Sequence, residues 1–142
     1  MTTSRRDTNV TVGQTAWLTA WLIEQIAEDE RLANTIRQRH WEADGAAVIA
    51  DHPTNRIVDY VYEEGAAEHI ARWDPKRVLA ECEAKRRIVD ECKHWYDRLD
   101  LSVGSQHDEC WLRGRFEIAA SMLRMFASSY TDRPGYRPEW KP

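Results

Sequence analysis

Asp74-Pro75-Lys76-Arg77-Val78-Leu79-Ala80-Glu81-Cys82-Glu83-Ala84-Lys85-Arg86-Arg87-Ile88-Val89-Asp90-Glu91-Cys92-Lys93-His94-Trp95-Tyr96-Asp97-Arg98-Leu99 is the stretch on which the fold turns. From Val78 its apolar or small positions advance by alternating steps of four and three residues through Cys82, Lys85, Val89, Cys92, Tyr96 and Leu99, with Lys85 the one polar interruption. An α-helix turns by about 100° per residue, so these positions share one face and need a neighbour to cover it. Asp before Pro is a start signal. The carboxylate accepts from the free N–H groups of a first turn, and proline at the first helical position gives up only a donor that has no partner there. The spacing predicts a main helix from Pro75 to about Leu99, with charges of both signs on its solvated side. It predicts architecture rather than chemistry.

Toward the amino terminus, Ala66–Arg72 reads as a short helical turn after Gly65. Before it lie two apolar, β-branched or aromatic runs, 46–50 and 57–62, separated by the turn residues His52-Pro53-Thr54-Asn55, a pattern that predicts a β-hairpin over about 46–62. Residues around Trp41 are expected to add to it. A lone hairpin is marginal in water, so a helix must lie against it. Thr11 and Gln14 have capping-box spacing, which starts a first helix near Val12. That helix is expected to reach about Arg39 with Leu18, Leu22, Ile26, Leu32 and Ile36 inward. Residues 1–10 are polar and are read as disordered.

Beyond the connection 100–106, a third long helix is expected over about 107–128, with a broad apolar stripe that includes Trp111, Leu112, Phe116, Ile118, Met122, Leu123 and Met125. The tail 130–142 carries Pro134, Gly135, Pro138 and Pro142 and is read as extended and non-helical, pinned to the body by Tyr130, Tyr136 and Trp140. The fold class is therefore mainly α (α+β): three principal helices and one small antiparallel hairpin in a single domain over 11–142.

Composition limits the function classes. The 142 residues carry 20 Lys and Arg against 24 Asp and Glu, a net charge of −4, which gives no global attraction to nucleic acid or anionic lipid. Three cysteines are an odd count for a disulfide framework and favour a reducing, cytoplasmic setting. No run approaches the ~20 apolar residues that span a bilayer. Seven tryptophans and five tyrosines beside two phenylalanines suit rings that keep one edge wet, either capping a core or facing a partner.

Three stretches together carry a family resemblance. They are Glu28-Asp29-Glu30; the block 69–79 (His69 to Leu79) with Glu83-Ala84-Lys85-Arg86; and the tail from Tyr130 through Pro134, Gly135, Tyr136 and Pro138 to Trp140. In these the chain resembles domain-of-unknown-function family 6221, found mainly in actinobacteria and their phages. The resemblance runs from Trp17 onward and implies a phage or mobile-element setting but no activity. Members that look similar often have a cysteine-bearing loop between the last two helices, whereas this chain has only Cys110 near the end of that loop and Cys92 before it.

Four candidate constellations follow. Cys92, His94, His107 and Cys110 supply two thiols and two imidazoles, a donor set for zinc. Against it, positions 92 and 94 lie about 200° apart around a helix and cannot face one ion, and Cys92 falls on the apolar stripe. His69, Arg72, Asp74 and Arg77 at a helix entrance could hold an anionic ligand, and serve equally as a cap. Lys85, Arg86 and Arg87 could contact phosphates, though Glu83 and Asp90 beside them dilute the charge and nucleic acid is disfavoured. The expected interaction surface is drawn from Trp73, Trp95, Trp111, Tyr136 and Trp140 where these are exposed. No catalytic set is assigned: there is no glycine-rich phosphate loop, nucleophile elbow or His-Glu-x-x-His motif. The reading that results is a small non-enzymatic interaction or accessory protein of the cytoplasm, without a cofactor. Its partner is a protein or its own copy, paired through the stripe of the main helix. A small-ligand or metal-binding domain is the alternative, and a weak nucleic-acid binder the second.

Overall fold

A computed structural model describes the backbone of residues 5–50, 56–101 and 106–142, and the side chains of these apart from 5–11, 64, 100–101 and 106–108. The elements run α1 (Arg5–Asn34), β1 (Trp41–Asp44), β2 (Ala47–Ala50), β3 (Arg56–Tyr60), α2 (Glu64–Arg72), α3 (Pro75–Leu101) and α4 (Gln106–Ala127), followed by 3₁₀ turns at Ser128–Tyr130 and Pro138–Trp140. The mainly helical α+β class holds. The expected hairpin turn 52–55 and most of the 100–106 connection lie outside the described residues. The chain groups into two compact units, Ile26–Ala84 and Met1–Gln25 with Lys85–Pro142.

In the Ile26–Ala84 unit the hairpin exists and gains a third strand. The sheet order is β1-β2-β3, antiparallel throughout, with Trp41 opposite Ala50 and Ala47 opposite Tyr60. Gly45, at φ +60°, lets the chain reverse between β1 and β2, a conformation that costs glycine little. β1 is the contribution expected around Trp41, although Trp41-Glu42-Ala43-Asp44 has little β-propensity. It is anchored instead by its first residue: the Trp41 indole N–H donates to the Gln38 carbonyl at 2.8 Å and the Trp41 backbone N–H to Asp74 at 3.0 Å. α2 covers one sheet face through Val48, Ala67 and Ala71, with Trp41, Val61 and Ile70 packed around them. β3, at the sheet edge, is exposed along its whole length.

In the other unit Leu99, Leu112, Phe116 and Ala120 form a core cluster of α3 and α4, with Val12, Trp95 and Tyr96 against it. The tail packs on α1, where Trp21 donates its indole N–H to the Pro134 carbonyl at 2.9 Å and meets the rings of Tyr130, Tyr136 and Trp140 edge-on or tilted. Gly135 holds φ +85° here, and a Cβ at that position would stand 2.9 Å from the Trp21 indole nitrogen. The pinning expected of Tyr130, Tyr136 and Trp140 is realised, with Trp21 as its centre.

Several boundaries differ from expectation. α1 starts at Arg5 and not near Val12, so Arg5–Val10 of the segment read as disordered are helical. Extending a formed helix adds one hydrogen bond per residue, which removes the need for a cap at Thr11. α1 ends at Asn34 rather than Arg39, because the Thr35 and Ile36 N–H groups turn to the Leu32 and Ala33 carbonyls in tighter i→i+3 bonds. Leu32, expected inward, is 59% exposed. The tail is not wholly extended. Proline suits the first position of the Pro138–Trp140 turn, and the Lys141 N–H closes it on the Pro138 carbonyl.

Candidate functional site

Asp74 caps α3. One carboxylate oxygen accepts the Arg77 backbone N–H at 2.8 Å, and the other meets the Trp41 N–H and His40 Nδ1, each at 3.0 Å. The group is buried. Burial alone would raise its pKa, but the Arg77 and Trp41 N–H groups and the His40 ring together outweigh that and hold the carboxyl below its ordinary value. The other residues proposed with it are committed to neighbours outside the set. Arg72 pairs with Glu68 at 2.6 Å, Arg77 pairs with Glu81 at 2.9 Å and lies over the Trp73 ring at 4.5 Å, and His69 tilts against Trp73. A groove of about 420 Å³ does run past His40, Arg72, Asp74 and Arg77, but its buried carboxylate is consumed in joining β1 to α3.

The thiol and imidazole set is not assembled as drawn. Cys92 is buried, and burial, helped by the neighbouring Glu91 carboxylate, pushes its thiol up and disfavours the thiolate a metal needs. His94 is exposed and sits edge-on to Trp95, and Cys110 is exposed on α4. The His107 side chain lies outside the described residues. Among the described residues no cluster of three His, Cys, Asp or Glu side chains could hold a metal ion. Lys85, Arg86 and Arg87 point in three directions around α3. Lys85 is turned inward, its Nζ donating to the Tyr130 hydroxyl at 2.9 Å beside the Phe126 and Tyr130 rings, which explains the polar gap in the α3 stripe.

That stripe, expected to pair with a second copy, is closed off: Cys82, Val89, Cys92 and Leu99 are all buried within the chain. The expected aromatic surface is also redistributed. Trp140 is 3% exposed and belongs to the Trp21 cluster, where Tyr136 is half-buried. Trp73 and Trp111 are exposed and Trp95 is half-buried. Trp17, not foreseen, is 61% exposed, with the Arg137 guanidinium 4.2 Å from its ring.

The feature with the most unspent chemistry is a groove of about 360 Å³ along α3 and α4. Its α3 wall is Arg87, Ile88, Glu91, Cys92 and Trp95, and its α4 wall Arg115, Ile118, Ala119 and Met122. α4 turns its apolar residues to two sides: Leu112, Phe116, Ala119 and Leu123 are buried, whereas Trp111, Ile118, Met122 and Met125 remain exposed, Ile118 at 64%. With Arg115 these exposed positions step by four and three residues, a second helical stripe without a cover. The Arg115 guanidinium lies 4.2 Å from the Trp111 ring and 4.7 Å from the Trp95 ring, which are themselves T-shaped at 5.8 Å. Attraction to the two rings holds the cation in place on the groove wall. Among the described residues neither Arg115 nor Glu91 has an ion-pair partner. Ile88, Glu91, Arg115, Ile118, Met122 and Met125 were not singled out as a site. The signal was the breadth of the α4 stripe, too wide for one neighbour.

Comparison with known proteins agrees with the resemblance. The sequence model of a family described as "Family of unknown function (DUF6221)" matches residues 15–142. No curated protein and no solved structure matches the chain.

Proposed function

The chain belongs to the family of unknown function DUF6221, and we propose that it acts as a non-enzymatic interaction or accessory protein whose working surface is the α3/α4 groove. The observation that carries this reading is the uncovered stripe of Trp111, Ile118, Met122 and Met125 beside Ile88. Clustered large apolar side chains with an aromatic and arginine centre are what protein partners bury, and a groove between two helices receives apolar side chains of a third. The groove holds no array of hydrogen-bonding groups suited to a polar substrate; its polar members are the Arg87, Glu91 and Arg115 rim. Three free thiols suit the cytoplasm, and no helix of the described residues is long and apolar enough to cross a membrane. A phage or mobile-element setting rests on the family resemblance alone.

The test is site-specific photo-crosslinking in cells. A photoreactive residue at Ile118 or Met122 should give protein adducts that one at Glu24, on α1, does not. Failure of both groove positions to crosslink to any protein defeats the proposal.

A further inference from the structure

We propose that the occupant of this groove is a second copy of the chain, so that two α3/α4 hairpins close face to face about a two-fold axis; this rests on the reading of the groove as an interaction surface. A two-fold interface brings the same patch together twice, so each group must find its counterpart within the patch it belongs to. This groove meets that requirement. Of its three charged members, Arg87 is engaged within the chain, whereas Arg115 and Glu91, on opposite walls, have no ion-pair partner among the described residues.

The helix geometry fits the pairing. α3 and α4 lie side by side, with Trp95 level with Arg115, and Glu91 is one turn along α3 from Trp95. A two-fold axis normal to the groove floor carries α3 of each copy over α4 of the other. With the axis about half a turn from Arg115, Glu91 of one copy reaches Arg115 of the other, and the contact forms twice. By the rise of about 1.5 Å per residue the same operation brings Ile118 of each copy over the Cys92–Trp95 turn of the other and Ile88 beside its exposed Trp111, in a layered four-helix arrangement. A helix without charged groups would offer Glu91 and Arg115 no counterpart at the rim, whereas a second copy offers both.

Sedimentation equilibrium of the full chain tests this directly. The wild type should sediment at twice the 16.6 kDa chain mass. Glu91→Arg and Arg115→Glu should each weaken association at least about tenfold by placing like charges together, and the double reversal should restore it. Ile118→Asp should give a monomer with an unchanged helical spectrum. A wild type that is monomeric even at about 100 μM chain overturns the proposal, and so does a dimer indifferent to Glu91→Arg, Arg115→Glu and Ile118→Asp, which must use another face. Crosslinking separates the two readings. A monomer whose Ile118 position still captures a different protein defeats the second copy and leaves the groove reading intact; no adduct of any kind defeats both.

Discussion

Trp21 and Trp111 each anchor an aromatic group in the same compact unit, yet they end in opposite states. Trp21 is 8% exposed, its N–H spent on the Pro134 carbonyl and its ring enclosed by Tyr130, Tyr136 and Trp140. Trp111 is 49% exposed, touched by Trp95 and roofed by one guanidinium. Both sit on helices with apolar neighbours at helical spacing. The contrast shows that the tryptophans serve two ends, holding the tail to α1 and furnishing an open face. Substitutions should separate stability from association accordingly.

The largest loss should come from Trp21→Ala, about 3–5 kcal/mol in denaturant unfolding, since it empties a filled site and strands the Pro134 carbonyl. A cost under about 1 kcal/mol would mean that the tail is not held by this ring. Asp74→Ala carries the comparison to charged groups, because Asp74 is spent internally whereas Glu91 is not. It should cost about 2–4 kcal/mol by removing a helix cap and the tie to β1 together. Its pH dependence has a definite sign. The folded pKa of Asp74 is depressed, so its contribution is complete above the ordinary carboxylate range and is lost as pH falls through the folded value. Asp74→Asn should therefore flatten the acid limb of the stability profile.

Gly135→Ala comes next, about 1–3 kcal/mol, because it forces a side chain into positive φ and toward the Trp21 ring. A neutral result would show that the tail can shift without losing its anchor. Trp111→Ala should have the smallest effect on unfolding, within about 0.5 kcal/mol, while still weakening association in the centrifuge. A large stability loss there would erase the distinction between the two tryptophans.

Much of the fold was legible because its signals are local. Asp74-Pro75 marks the start of α3, the four-three spacing from Cys82 to Leu99 marks its buried face, and the runs 46–50 and 57–62 mark β2 and β3. β1 was less legible, since its anchor is the buried Asp74, more than thirty residues away in sequence. The site was the least legible part. Hydrophobicity alone cannot separate Leu112 from Trp111, or Leu123 from Met122; what separates them is which side of α4 meets the core, a tertiary fact. For the same reason the sequence leaves Trp140 both a tail anchor and a surface candidate, and only the fold makes it interior, just as it closes the stripe expected to pair outward.

The unequal shielding of the indoles makes the chain its own optical reporter. Trp17, Trp73 and Trp111 are open to a dissolved quencher such as iodide, whereas Trp21 and Trp140 are sheltered. Emission that iodide extinguishes therefore follows the outer rings, and emission that survives follows the tail's seat on α1. Unfolding, which exposes the sheltered pair, should therefore raise the fraction of emission that iodide can reach, a change readable in one unlabelled sample.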